Sequence, residues 1–185
     1  FGILLALHHR VLTGKGQFVD VSPAEAAMRF THFNLLWYHA ERKILERMGN
    51  LDSAVFPYTY FRCKGGFVFV AGFLDPNWAA LTAIIERPDL LKRYPTMRDR
   101  LEKAREIFPE IEAWTMNYSA DEILERVQRY RGEGAVATGP VHEPWQTVAE
   151  AHWWERGIFQ RVHDPYYGDL LIQGPPWKMD VTPPR

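Results

Sequence analysis

The amino-acid sequence predicts an α/β fragment followed by a small α+β domain, and three observations carry this prediction. An apolar helical segment opens the chain and is followed by a short alternating strand and a capped helix. A hairpin pattern of aromatic and β-branched residues comes next, and further helical segments follow it. Helices alternating with strands indicate α/β architecture, whereas a hairpin grouped with helices indicates α+β. We therefore expect two subregions, residues 1–47 and 57–141, joined by a linker at residues 48–56.

The beginning of the chain predicts one helix and one short strand. Apolar side chains recur at helical spacing at Ile3, Leu4, Leu7 and Val11. Gly14 is suited to end this helix, because glycine enters the left-handed conformation without steric cost. Residues 18–21 then alternate as a strand does. Since the apolar helix begins without a capping side chain or an initiator methionine, we expect further chain to precede Phe1 in the native protein.

The second helix has the clearest start signal in the chain. Ser22 and Glu25 form a capping-box pattern, and Pro23 occupies the first helical position. Apolar positions continue to about Glu46, so one long helix is expected over residues 23–46. Residues 48–56 show no periodicity and contain a Gly-Asn break, which predicts the linker.

Residues 57–72 are the best candidate for a β-hairpin. The runs 58–63 and 67–70 are rich in aromatic and β-branched residues. The turn at residues 64–66 contains two glycines, which supply the positive φ that tight hairpins require.

Two tyrosines of this hairpin are candidates for a binding site. Tyr58 and Tyr60 would share one face of the first strand, because side chains two positions apart point the same way. A pocket built where the linker meets the hairpin would use such aromatic side chains, so Tyr58 is our candidate for a substrate pocket. The alternative is that both tyrosines are ordinary hairpin aromatics.

The remainder of the chain predicts mainly helices. Asp75-Pro76 marks one helix start, and the capping-box pattern of Ser119 and Glu122 marks another. The run 98–106 mixes both charge signs at i,i+4 spacing, which predicts a helix face exposed to solvent. The other expected elements are helical segments over 97–108, 119–130 and 143–156, a strand over 135–141, and an irregular or edge-strand tail over 165–185.

The composition is that of a globular protein and excludes several classes of partner. The chain is 46% hydrophobic and 24% charged, with a formal net charge of −1. This charge gives no reason to expect nucleic acid or an anionic membrane as a partner. The longest unbroken apolar run, residues 3–7, is too short to span a bilayer, so no membrane is expected. A single cysteine excludes an internal disulfide and suits a reducing cytosol, which predicts a cytoplasmic protein.

The residues support neither a metal site nor a cysteine nucleophile. His8 and His9 are adjacent and would point about 100° apart on a helix, so they cannot both face one ion. A structural zinc site is excluded because the chain has only one cysteine. That residue, Cys63, falls in the predicted hairpin, where a cysteine is more often a small core residue than a nucleophile. We therefore predict no metal and leave the catalytic residues unassigned.

Several motifs in collinear order resemble those of the family III CoA-transferases, which include formyl-CoA transferase, carnitine CoA-transferases and alpha-methylacyl-CoA racemase. The opening helix runs into T-G-K-G-Q and F-V-D-V-S at residues 13–22. Residues 56–70 resemble the hairpin of that family's small domain. Residues 134–141 resemble a late strand of the family, and residues 174–183 resemble its returning C-terminal segment. The resemblance covers nearly the whole chain.

The resemblance implies an enzyme with a large nucleotide-fold domain, a small α+β domain and two interlocked subunits, hence a homodimer. Residues 1–47 would be part of the large domain, 57–141 the small domain and 142–185 a segment that returns to the large domain. The family's catalytic aspartate would lie upstream of Phe1, so this segment alone is expected to be inactive. The implied substrates are an acyl-CoA thioester and a carboxylic acid acceptor, with coenzyme A as a substrate and not as a bound cofactor.

Two alternatives to a transferase stay open at this point. Racemase-like members carry a tyrosine near the position of Tyr58, so a racemase that abstracts a proton alpha to the thioester is one alternative. A non-catalytic dimerisation or scaffold segment is the other, because the aspartate is absent from this chain. Formyl-CoA transferase has a run of glycines before the hairpin, whereas residues 48–54 contain only Gly49, so formate and oxalate are not expected as substrates.

Overall fold

The computed structural model describes residues 1–31 and 33–182. His32 in the expected second helix and residues 183–185 of the expected tail lie outside the described residues. The chain separates into two compact units, Phe1–Val55 and Phe56–Arg185. The assignment of residues 1–47 and 142–185 to a large domain stays a prediction.

The described residues of the first unit form helices and irregular segments. They are α1 at Gly2–Thr13, α2 at Pro23–Met28, a 3₁₀ turn at Arg29–Thr31, and α3 at Asn34–Glu41. Gly14 has a φ of 72° and donates its backbone N–H to the Arg10 carbonyl, which confirms the expected end of α1. The Ser22 hydroxyl accepts the backbone N–H of Glu25, which confirms the expected start of α2.

Two predictions for the first unit are wrong. Residues 18–21 form no strand, because the described part of this unit offers no second strand with which to pair. The expected long helix is interrupted after Met28, where the Thr31 hydroxyl donates to the Met28 carbonyl at 2.8 Å, a side-chain bond that competes with regular helix. Helical structure then ends at Glu41, since Arg42 adopts the left-handed conformation with a φ of 56°.

A three-stranded antiparallel sheet forms the centre of the second unit. Its strands are β1 at Tyr58–Cys63, β2 at Gly66–Ala71 and β3 at Ala137–Pro140, in the order β1-β2-β3. Phe69 of β2 pairs with Tyr60 on one side and with Gly139 on the other. The predicted hairpin is confirmed, and Gly65 in its turn has a φ of 84°.

Helices cover one face of this sheet. They are α4 at Asp75–Ile84, α5 at Pro88–Arg93, α6 at Met97–Glu102, α7 at Ala104–Thr115 and α8 at Ala120–Arg129. Both hydrogen bonds of the Ser119–Glu122 capping box are present at the start of α8, as predicted. The core between helices and sheet includes the buried side chains of Phe61, Val68, Val70, Trp78, Ile107, Ile111 and Ile123.

Helix α7 protects the outer edge of β1. The Arg62 backbone N–H donates to the Glu112 carboxylate at 3.1 Å, and the Thr115 hydroxyl donates to the Arg62 carbonyl at 2.6 Å. An edge strand with free backbone groups would pair with other chains. These two bonds satisfy the edge at Arg62 and fix the position of this residue along β1.

Arg100 contradicts the prediction of a solvent-exposed charged face over residues 98–106. Arg98 and Glu102 do form an exposed i,i+4 pair at 3.0 Å, but Arg100 is completely buried. Its guanidinium donates to the carbonyls of Phe73 at 2.6 Å, Pro95 at 3.1 Å and Tyr94 at 3.4 Å, and to the Asp75 carboxylate at 2.7 Å. Burial of the charge is tolerated because these acceptors replace water around the two terminal nitrogens of the guanidinium.

The last part of the chain differs from its prediction. It contains α9 at Pro144–Ala149, α10 at Ala151–Glu155, β4 at Phe159–Asp164 and β5 at Gly168–Gln173. The expected single helix is divided at Glu150, which is extended, with a ψ of 113°. The tail, expected to be irregular or an edge strand, begins with the turn and the edge strand β5 of a two-stranded antiparallel hairpin. The Asp164 carboxylate makes this turn by accepting the backbone N–H groups of Tyr166 and Tyr167.

Candidate functional site

The outward face of the three-stranded sheet is the candidate functional site. Side chains alternate along β1 between buried and exposed positions. The buried side chains are those of Thr59, Phe61 and Cys63. Phe67 and Phe69 of β2 lie on the outward side, because they pair with outward residues of β1. We call this surface the aromatic face, and it comprises Tyr58, Tyr60, Arg62, Phe67 and Phe69.

Tyr58 is both packed and accessible on the aromatic face. Its ring meets the ring of Phe69 edge-on, with centroids 5.1 Å apart, and that of Phe73 edge-on at 5.8 Å. The side chain is nevertheless 42% exposed. The predicted sharing of one strand face by Tyr58 and Tyr60 is confirmed, whereas the assignment of Tyr58 to a substrate pocket stays a prediction.

On one side, the aromatic face is bordered by short side chains of β3. Gly139 pairs with Phe69, and Ala137 pairs with Ala71, so small residues of β3 stand beside the Phe69 end of the aromatic face. A Cβ atom placed on Gly139 would meet no atom within 4 Å. The Thr138 hydroxyl donates to the Phe69 carbonyl at 2.7 Å and holds the two strands together there. The surface of the sheet is therefore lower at Gly139 than at the neighbouring Phe69 ring. This step at Gly139 leaves room for a flat or extended apolar group.

The end of the aromatic face next to the hairpin turn is positively charged. Arg62 is exposed, and Lys64 follows it in the turn, also exposed. Neither side chain takes part in the ion pairs that residues 1–31 and 33–182 form. The outward row of β1 therefore runs from two phenols to a guanidinium.

Cys63 lies on the opposite, inward face of the sheet. Its side chain is buried, and this burial raises the pKa of the thiol. A raised pKa keeps the sulfur protonated, and a protonated thiol is a poor nucleophile. The prediction that Cys63 is a small core residue is confirmed.

A cavity along α8 is a weaker candidate for a binding site. It has a volume of about 450 Å³ and is lined by Ile84, Glu122, Glu125, Arg126, Arg129 and Tyr130. Arg129 pairs with Glu125 at 2.8 Å, and Arg126 stacks over the Tyr118 ring at 4.0 Å. The charged side chains of this cavity are thus engaged with neighbours on or beside α8.

The part of the chain that the structure describes offers neither a metal site nor a membrane-spanning helix. No group of three or more His, Cys, Asp and Glu side chains among residues 1–31 and 33–182 is arranged to hold a metal ion. None of the helices in this part of the chain has the length and apolarity needed to cross a membrane.

Sequence reasoning found the two tyrosines but missed their neighbours. The role of Arg62 could have been inferred, because it continues the period-two row that begins with Tyr58 and Tyr60. Phe69 could have been placed only after the hairpin register was known. Phe73 lies two positions past the residue that pairs with Tyr58, so its contact with Tyr58 also follows only once the register is known.

Comparison with known proteins decides the family. A sequence profile of CoA-transferase family III matches residues 1–185. The chain belongs to CoA-transferase family III. The resemblance inferred from the motifs is therefore confirmed.

This family III chain is similar to several proteins that are named as CoA-transferases. It is 32% identical over 184 residues to succinyl-CoA:mesaconate CoA-transferase of Haloarcula marismortui, covering 99% of this chain and 45% of that protein. It is 29% identical to succinyl-CoA–D-citramalate CoA-transferase of Chloroflexus aurantiacus, with 98% and 45% covered. It is 27% identical to formyl-CoA:oxalate CoA-transferase of Streptomyces coelicolor, with 98% and 48% covered. The chain spans less than half the length of these relatives.

Solved structures share the fold. The orthorhombic crystal structure of Rv3272 from Mycobacterium tuberculosis superposes with a TM-score of 0.74 at 20% identity, covering 98% of this chain and 46% of that one. A CaiB/BaiF family protein from Brucella suis superposes with a TM-score of 0.67 at 22% identity, with the same coverage of 98% and 46%. The family III chain therefore has the mixed α/β fold of these proteins.

Proposed function

We propose that this chain is part of an acyl-CoA transferase that moves CoA between carboxylic acids through an aspartyl mixed anhydride. The observation that carries the proposal is the match of CoA-transferase family III to residues 1–185. Similarity to proteins named as CoA-transferases along nearly the whole chain supports it further.

The proposed reaction is nucleophilic catalysis. An aspartate carboxylate attacks the carbonyl carbon of the acyl-CoA thioester, the carbon–sulfur bond breaks, and CoA leaves as a thiolate. The acyl group is then held as a mixed anhydride. The thiolate attacks the aspartyl carbonyl of this anhydride, which releases the first carboxylic acid and leaves an aspartyl-CoA thioester. The second carboxylate attacks that thioester to form a new mixed anhydride and free the thiolate, which then attacks the acyl carbonyl, so that the new acyl-CoA is formed and the aspartate is restored. We propose that this aspartate lies upstream of Phe1, so the described residues contribute substrate binding and not the nucleophile.

The aromatic face is the part of this chain that we assign to binding the acyl end of the thioester. Its rings are held by the sheet register and by edge-on contacts, and the step at Gly139 leaves room beside them. Apolar walls with a few placed polar groups are typical of small-molecule sites. Tyr58 would contribute its ring to the wall and its hydroxyl as the polar group.

We further propose that the full-length protein is a cytoplasmic homodimer in which residues 1–47 and 142–185 belong to a large domain. Helices α1, α2 and α3 bury none of their side chains within the first unit. Large exposed apolar surfaces are typical of regions that other chain segments or subunits cover. The single cysteine supports a cytoplasmic location, because a chain without an internal disulfide suits a reducing compartment. Light scattering on the full-length protein measures the oligomer, and a monomer would contradict the proposal.

Trapping with hydroxylamine tests the proposed reaction. The full-length protein is incubated with an acyl-CoA and hydroxylamine, and peptides are analysed by mass spectrometry. We expect an aspartyl hydroxamate on a residue upstream of Phe1, because hydroxylamine intercepts an activated carboxyl group. Protein incubated without acyl-CoA is the control and should remain unmodified. Exchange of the alpha proton into deuterated water without any hydroxamate would instead identify proton-abstraction chemistry and overturn the proposal.

Replacing Tyr58 with phenylalanine is expected to lower turnover of the full-length enzyme several-fold while the fold is kept. The ring contacts with Phe69 and Phe73 remain in this variant, and only the hydroxyl is lost. Removing a hydrogen bond costs about 1 kcal/mol in a desolvated site and little at a surface. Steady-state kinetics measure the effect. Tyr167→Phe is the matched control, since Tyr167 is exposed in the turn between β4 and β5. Equal kinetics in both variants would make Tyr58 an ordinary hairpin aromatic.

A further inference from the structure

The outward row of β1 places aromatic rings and a guanidinium in line. Tyr58, Tyr60 and Arg62 follow one another on one face, and same-face neighbours on a strand lie about 7 Å apart. Tyr60 in the middle of the row contacts the Phe69 ring at a centroid distance of 5.3 Å. The row is therefore apolar along most of its length and cationic at one end.

Arg62 has a fixed backbone and a side chain that is available for a ligand. Helix α7 holds its N–H through Glu112 and its carbonyl through Thr115, so the Cα position is anchored at both sides. The side chain is exposed and forms no ion pair with any residue of the described ranges 1–31 and 33–182. An exposed guanidinium on an anchored backbone is suited to bind a carboxylate, through two parallel N–H···O bonds.

We propose that Arg62 binds the distal carboxylate of a dicarboxylic acyl group, with the carbon chain of that group lying along Tyr60 toward Tyr58. This inference rests on the proposed transferase function and adds the substrate class. Charge complementarity selects the occupant: an acyl chain that ends in a methyl group would leave the guanidinium without a partner. An acyl chain that ends in a carboxylate uses both the aromatic rings and the charge.

The names of the relatives agree with this class. The protein of Haloarcula marismortui is named for succinyl-CoA and mesaconate, and that of Chloroflexus aurantiacus for succinyl-CoA and D-citramalate. Each of these acids carries a second carboxylate besides the one that is joined to CoA. Arg62 is thus a specificity-determining residue, which distinguishes dicarboxylic from monocarboxylic acyl groups.

The test compares two thioesters that differ at the distal end only. Succinyl-CoA carries a carboxylate where butyryl-CoA carries a methyl group. Values of kcat/KM and of the dissociation constant, the latter from titration calorimetry, are measured for both on the full-length protein. The variants are Arg62→Met, Arg62→Lys and, as a matched control, Arg105→Met, which removes an exposed guanidinium from α7. Circular dichroism confirms that each variant is folded.

We expect Arg62→Met to lower kcat/KM for succinyl-CoA about tenfold or more, as loss of a charged hydrogen-bond pair does. Its value for butyryl-CoA should change little, Arg62→Lys should recover part of the loss, and Arg105→Met should match the wild type. Equal losses for both thioesters, or no loss for either, overturn the inference. If the wild type transfers no CoA, the proposed function fails. In that case the dissociation constant of succinyl-CoA tests the inference. We expect it to be about tenfold higher for Arg62→Met than for the wild type. An unchanged dissociation constant overturns the inference.

Discussion

Replacing Arg100 with methionine is expected to lower the free energy of unfolding of the small-domain sheet by about 3 kcal/mol. The variant removes the buried donor group that serves the carbonyls of Phe73, Tyr94 and Pro95. Carbonyls left buried without a partner each carry a desolvation cost, whereas the methionine side chain recovers only part of the packing. Hydrogen exchange of the β1 and β2 amides in the full-length protein measures the loss.

The matched control for this prediction is Arg105→Met. Arg105 lies five residues further along the chain but is exposed, so its loss should change the exchange of these amides by less than about 0.5 kcal/mol. If both variants have the same small effect, the hydrogen bonds of Arg100 do not stabilise the fold. If Arg100→Met is destabilised as expected, the segment that follows β2 should also lose protection first, because Arg100 bonds directly to Phe73.

Replacing Gly134 with alanine is expected to destabilise the second unit by about 3 kcal/mol, for two separate reasons. Gly134 has a φ of 84°, a conformation that L-residues with a Cβ atom rarely adopt. The new Cβ atom would also collide with the Pro76 carbonyl group, whose carbon lies 2.7 Å from the Cβ position. Pro76 lies in the first turn of α4, so the collision can be relieved only by moving that helix or the loop. Hydrogen exchange of α4 measures the effect.

Gly65 provides a control that separates the two reasons. Its φ is also 84°, but a Cβ atom there would meet nothing within 4 Å. Gly65→Ala should therefore cost only the conformational part, about 1 kcal/mol. Equal losses in the two variants would mean that the close approach of Gly134 to Pro76 contributes nothing.

Arg100 acts on the segment that connects β2 to α4, and Gly134 lies against the first turn of α4. Arg100 binds the Phe73 carbonyl and the Asp75 carboxylate, and Gly134 allows the chain to pass against Pro76. Phe73 in turn lies edge-on to Tyr58 on the aromatic face. A buried arginine outside the face therefore holds one wall of the site that we assign to the acyl group, whereas the glycine supports the helix that follows this wall.

The sequence by itself determined the elements whose signals are local. The Ser22 and Ser119 caps, the end of α1 at Gly14 and the hairpin of β1 and β2 follow from side chains within a few residues of each other. The sharing of a face by Tyr58 and Tyr60 follows in the same way, because the period of a strand is two. The family resemblance could also be recognised from the sequence, since the order of motifs along a chain does not depend on tertiary contacts.

Only the tertiary structure decided the features that need distant partners. The run 98–106 has the charge spacing of an exposed helix, yet Arg100 is buried because four acceptors from residues 73–75 and 94–95 surround it. The pattern at residues 18–21 is that of a strand, but a strand forms only where another strand satisfies its backbone groups. The step at Gly139 beside the aromatic face likewise depends on the pairing of β2 with β3, which joins residues about seventy positions apart. Local sequence sets the propensity of a segment, whereas burial and backbone pairing depend on which distant segment lies against it.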